Sequence, residues 1–198
     1  MRISEIRFHG KNKVGLVVEI HDPARYTTHT IPELPRCLFE LFPHLARHQC
    51  HNGQNRSFAE EALETEVPHL LEHLIIELQS QISDGGTISG ETEWNWRKDP
   101  RGMFHVHLDY QDEYVVLGAI RLAERIMSAI DEEAIALLDV EREVARLREL
   151  ARLGAALRNS PLRREVPDAQ RPGWKQVHSR GRRRSERTRV RRTARLAR

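Results

Sequence analysis

The chain has 198 residues, 39% of them apolar and 31% charged, which suits one packed domain with an appendage. No apolar run approaches the roughly 20 residues of a membrane span, and the polar N-terminus lacks a signal-peptide core, so a cytoplasmic protein is expected. Cys37 and Cys50, the two cysteines, exclude a disulfide framework and fit thiols in a reducing compartment; the net charge of +3 hides 12 basic residues and one acidic between Arg171 and Arg198.

In chain order, the alternation around Ile6 and Phe8 predicts an edge strand within Met1 to His9. The turn-like Gly10-Lys-Asn-Lys13 leads into Val14 to Ile20, β-rich and placed to complete a hairpin. The Thr-rich stretch Tyr26 to His29 reads as a loop. Ile31 to Phe42 has helical apolar spacing, with Pro32 and Pro35 near its start and Cys37 on or near its buried side. After Pro43, His44 to Gly53 reads as a loop crowded with metal-ligand types, and Ser57 to Leu63 as a second short helix.

Thr65 then fits an N-cap and Pro68 a first turn, and no further Gly or Pro follows until Gly85, so a longer helix is predicted. Leu70, Leu71, Leu74, Ile75 and Leu78 supply its apolar stripe. Beyond Gln81, Ser-Asp-Gly-Gly ends it. Thr87 to Glu93 is a predicted strand, and Trp94 to Gly102 a hairpin-like loop. Phe104 to Tyr110 alternates with period two, which puts His105, His107 and Asp109 on the outer face. Asp112 is placed to cap a long helix to about Ile130. A further charged, amphipathic helix is expected from Glu132 to Leu157. The fold class is α+β, a small and mostly antiparallel sheet packed against about three main helices.

Chemistry concentrates on the helix after Thr65. His69 and His73 stand four residues apart and project from one face, and Glu72 lies one turn beyond His69. This is H-x-x-E-H, the inverted zincin order: two His bind zinc, and the Glu serves as general base toward a water. The competing reading is a solvated polar helix face, with Cys50 a buried thiol. His105 and His107 are explained as an outer strand face, and His9, His21, His29 and His44 have no partner pattern. Trp94 and Trp96 beside Arg97, Lys98 and Arg101 make either a stacking and carboxylate-binding surface or a charged hairpin tip with anchored indoles.

Several of these pieces together resemble the N-terminal domain of bacterial cyanophycin synthetase. The carrying residues are Ile31-Pro-Glu-Leu-Pro, Phe42-Pro-His-Leu45, His48-Gln-Cys50, Phe58, and Thr65 with His69-Leu-Leu-Glu72-His73-Leu-Ile-Ile-Glu77-Leu-Gln79. The Gly90-Glu-Thr92 turn and Phe104 to Tyr110 with its following helix complete the match, over roughly residues 1 to 150. The sequence departs from the family at Glu93, at Gly10-Lys-Asn-Lys13, and in the aromatic and basic stretch Trp94 to Arg101.

The resemblance implies a domain that holds the growing polymer. In some members it carries a metal-dependent hydrolase site that cuts cyanophycin, an Asp-backbone polymer bearing isopeptide-linked Arg. It implies Cys50 as third zinc ligand beside His69 and His73, with Glu72 catalytic. Glu77, His51 and His48 remain alternative ligands, Glu77 also as a partner that holds an imidazole tautomer. No ATP-grasp or Mur-ligase-like module is expected within these 198 residues, so a ligase would be a separate partner chain.

Residues 1–158 are therefore expected to form this N domain and 159–198 a basic, disordered tail able to bind polyanions, nucleic acid included, in a salt-dependent way. The expected function is a zinc-dependent hydrolase acting on cyanophycin or a related Asp/Arg peptide or isopeptide. The alternatives are a non-catalytic module binding polymer or partner, and polyanion binding through the tail.

Overall fold

A computed structural model describes residues 1–10, 12–50, 56–82 and 87–158 with their side chains, and the backbone alone at His51, Asn159 and Val190–Arg195. Strand β1 (Arg2–His9) and strand β2 (Lys13–Glu19) form the predicted hairpin, and Asn12 takes the left-handed conformation at its turn, as Asn tolerates. Val14, Leu16 and Val18 of β2 point into the core.

Of the stretch His44 to Gly53, expected to be a loop, residues 44–51 are described, and they are more regular than a loop. A 3-10 turn at Leu45–Arg47 leads into strand β3 (Gln49–His51). Strands β4 (Ser89–Trp94) and β5 (Met103–Asp109) follow the predicted alternation, with Phe104, Val106 and Leu108 buried and His105, His107 and Asp109 on the opposite face. On that outer face His105 Nε2 lies 3.3 Å from Asp99 and His107 Nε2 3.8 Å from Glu93. Strand β6 (Val190–Arg195) completes a six-stranded sheet of order β1-β2-β5-β4-β6-β3, antiparallel at every pairing. The expectation of a tail without structure therefore does not hold at these six residues; residues 160–189 and 196–198 lie outside those described.

Five helices accompany the sheet among the described residues. Helix α1 (Glu33–Leu41) leaves Cys37 half-buried, and helix α2 (Phe58–Glu61) starts with a capping box in which Ser57 and Glu60 satisfy each other's backbone amides. Helix α3 (Val67–Ser80) is enclosed on all sides: every residue from Val67 to Gln79 is buried. It lies on the sheet against β4, β5 and β6, with helix α4 (Glu113–Asp131) beside it. Asp112 caps α4 as predicted, its Oδ1 accepting from the amides of Tyr114 and Val115.

The last helix begins later than its composition suggests. The chain turns after α4, where Glu133 takes a left-handed φ of 54° and the Ala134 amide reaches back to the Ala129 carbonyl. Helix α5 (Val140–Asn159) then starts where Asp139 accepts from the Arg142 amide. It packs on α4 through Val144 and Leu147 and leaves Leu150, Leu153 and Leu157 exposed.

Gly102, at the end of the β4–β5 loop, combines a φ of 82° with a carbonyl that accepts from the Ile20 amide at 2.9 Å. A side chain there would meet the Ile20 carbonyl oxygen and the Tyr26 ring. Gly102→Ala is expected to cost about 1–3 kcal/mol of stability, seen as a lower midpoint in urea unfolding with an unchanged slope.

Candidate metal centre

Burying α3 on all sides takes His69, Glu72, His73 and Glu77 out of water together. Each ionisable group so buried needs a partner, because desolvation of an unpaired polar group is costly. The sequence assigned Thr65 to the helix cap, but the N-cap is Glu66, with no side-chain cap bond. The Thr65 hydroxyl instead lies 2.7 Å from His69 Nδ1. Thr65 is itself fixed by buried Thr28, whose hydroxyl accepts from the Thr65 amide at 3.0 Å and whose own amide donates to the Thr65 carbonyl at 2.8 Å.

The other nitrogen of that ring, His69 Nε2, is 3.4 Å from Cys50 Sγ. With His73 these residues form a cluster whose donor atoms all lie within 4.8 Å of one another. A nitrogen and a sulfur at ordinary zinc distances on a tetrahedral ion stand about 3.5 Å apart. The Cys50–His69 pair already has that separation.

His73 is held by a relay of two side chains. Its Nδ1 is 3.1 Å from His48 Nδ1, and His48 Nε2 is 2.9 Å from Glu77 Oε2. Glu77 is a carboxylate: burial alone would raise its pKa, but hydrogen bonds from His48 and Gln81 outweigh burial and keep it below its ordinary 4.5. It therefore accepts from His48 Nε2–H. In a neutral His48 the other nitrogen, Nδ1, accepts from His73 Nδ1–H. Burial, and secondarily the neighbouring His69 and His48, hold the His73 pKa well below 6.5, so the ring is neutral as this tautomer requires.

That assignment leaves a lone pair on His73 Nε2, a buried atom with no hydrogen-bond partner among the described residues. In the tautomer in which the Thr65 hydroxyl accepts from His69 Nδ1–H, the lone pair of His69 Nε2 is left toward Cys50. One thiol and two imidazole nitrogens thus converge, each ring fixed by its second nitrogen, and this donor set fits zinc. Phe58 stacks on His73 at a centroid distance of 3.5 Å and meets His69 edge-on at 5.9 Å, which walls the cluster on one side.

Glu72 faces the sheet. One carboxylate oxygen accepts from the buried Thr92 hydroxyl, and the group lies so close over Gly90 that a β-carbon there would stand 2.7 Å from Oε1. Gly90 and Thr92 are therefore positions of strand β4 rather than a turn, two residues apart and on one face. Thr28 and Thr92 were not singled out as site residues by sequence, although the period of two places Gly90 and Thr92 together.

Of the other sequence candidates, His48 and Glu77 join the site through the relay. His51 contributes its backbone to β3, and its side chain lies outside the described residues. Trp94 and Trp96 pack on Phe104, with Trp96 Nε1 donating to the Met103 carbonyl at 3.1 Å and the Arg101 guanidinium 5.8 Å from the Trp96 ring. Arg97 is exposed beside them. None of these four belongs to the cluster around Cys50, His69 and His73. No helix among the described residues is long and apolar enough to cross a membrane.

Residues 15–132 match the family described as the cyanophycin synthase-like N-terminal domain. A cyanophycin synthetase from Synechocystis sp. is 28% identical over 142 residues, covering 71% of this chain. The match spans 16% of that relative's length.

A histidine whose folded-state pKa lies below its unfolded value binds fewer protons when folded. Its contribution is intact above about pH 6.5 and is lost as pH falls, at about 1.4 kcal/mol per pH unit. Metal-free protein should therefore lose stability from pH 6.5 downward, more steeply below 4.5, where Glu77 also takes up a proton on unfolding. His73→Leu should flatten the upper limb in urea unfolding measured from pH 7.5 to 5.

Proposed function

The chain belongs to the cyanophycin synthase-like N-terminal domain family, and we propose that Cys50, His69 and His73 hold zinc in a hydrolase centre acting on cyanophycin or a related Asp/Arg peptide or isopeptide. The observation that carries this reading is the convergence of three donors, with each imidazole held at its second nitrogen by a hydrogen-bond partner. A helix face merely solvated by His and Glu would be exposed, whereas these residues are fully enclosed. The relation to the synthetase supports the substrate class.

Zinc, when bound, supplies a Lewis acid and brings the pKa of a coordinated water toward about 7. The remaining chemistry falls to the protein's own groups. Glu72 accepts a proton from water and returns it to the leaving amine. Thr92 fixes one of its oxygens, and Gly90 leaves room for the carboxylate between helix and sheet. Glu77 and His48 act through His73, which they hold at Nδ1.

Purified full-length protein supplied with zinc should hold about one zinc per chain by elemental analysis, and Cys50→Ser should hold less. The wild type should release soluble peptide from cyanophycin, and Glu72→Gln should keep its zinc while turnover falls about 100-fold or more. Zinc without any turnover would leave a polymer-binding module. No zinc in the wild type would sink the metal reading altogether.

A further inference from the structure

We propose that the arginine-bearing C-terminal strand β6 is a positioning element of the metal centre, the part of the fold that sets Cys50 opposite His69 and His73. The inference deepens the zinc reading and rests on it for Cys50 as a ligand. Strand β3 is three residues long with Cys50 at its middle, and among the described strands it pairs only with β6. A strand so short holds no position alone. Strand β6, by contrast, runs along β4 for all six of its residues, from Ser89↔Arg195 to Trp94↔Val190.

The register shows what this achieves. Ala194 is the partner of Gly90 on one side and of Cys50 on the other. Gly90 is also the partner of Leu108, whose side chain is buried under the helices. A single row therefore runs Leu108, Gly90, Ala194, Cys50, and directly paired residues of neighbouring strands share a face. The row begins in the core beneath α3, passes the glycine on which the Glu72 carboxylate rests, and ends at the thiol that meets His69.

Two strand spacings, about 10 Å, separate Gly90 from Cys50, and β6 fills that interval. Without it, β4 would keep its place on β5, and Glu72 its place over Gly90. Cys50 would lose the strand pairing that fixes its backbone, with its chain link to His48, which the Glu77 relay anchors, on one side. The third ligand thus depends on a segment about 140 residues away in sequence, reached through residues 160–189. Thr193 and Ala194 lie where β6 is flanked on both sides, so a proline there removes an amide from a doubly paired strand.

The test uses the full chain and its Thr193→Pro variant, both free of metal. Iodoacetamide modification of Cys50 is followed by peptide mass spectrometry, with Cys37 in the same chain as reference. The variant should modify at Cys50 about tenfold faster, with Cys37 unchanged, and bind zinc about 10- to 100-fold more weakly in competition with a chromophoric chelator. A synthetic peptide covering residues 188–197 should slow Cys50 modification back toward the wild-type rate.

Wild-type rates and zinc affinity in Thr193→Pro would overturn the proposal. Acceleration at Cys37 as well would mean general unfolding, and hydrogen exchange of the wild type then decides. Joint opening of β3 and β6 supports the proposal, whereas β3 staying protected while β6 exchanges overturns it. The modification and exchange arms need neither zinc nor turnover, so they separate failure of this inference from failure of the hydrolase reading.

Discussion

The structure depends on the complete enclosure of α3. A helix buried on every side must satisfy its polar groups within the protein, and this one buries two histidines and two glutamates among its leucines and isoleucines. Thr65 meets His69, Thr92 meets Glu72, and His48 joins His73 to Glu77. These contacts bring together the loop before α3, the β3 region and strand β4. The core and the candidate centre are consequently one object: the partners that make burial of these imidazoles tolerable each hold one ring nitrogen, and the other nitrogens belong to the cluster with Cys50.

The electrostatics are consistent with that division of labour. His73 is kept neutral by burial and by the neighbouring imidazoles, which suits a ligand, while Glu77 is kept charged by hydrogen bonds despite burial, which suits the terminus of a proton relay. Phe58 adds an apolar wall against His73 that leaves its ring nitrogens to their other neighbours. Glu72 stands apart from this relay, and its local surroundings are Gly90 and Thr92 of the sheet.

Local signals made much of this legible. Helical period and the H-x-x-E-H spacing marked α3 and the shared face of His69 and His73, and alternation marked β5 with its histidines outward. Glu77 could be read as a partner of an imidazole, but not that the imidazole in contact is His48. The contacts of Thr28 and Thr92 were not legible because they join residues 37 and 20 positions apart, which no local pattern encodes. The start of α5 was misplaced because the charged, amphipathic pattern continues through a break made by backbone geometry at Glu133. Strand β6 was invisible for a different reason: Arg-rich composition reads as disorder, whereas its pairing is provided by β4 and β3 on either side.

In the proposed centre, one thiolate and two imidazoles converge on a single metal position. Zinc K-edge X-ray absorption on the zinc-loaded full chain tests it most directly. One sulfur neighbour at about 2.3 Å with nitrogen or oxygen neighbours at about 2.0–2.1 Å is expected, and loss of the sulfur shell in Cys50→Ser. A wild-type spectrum with nitrogen and oxygen neighbours alone would contradict it, and Cys50 would then be a core thiol beside His69 rather than a ligand.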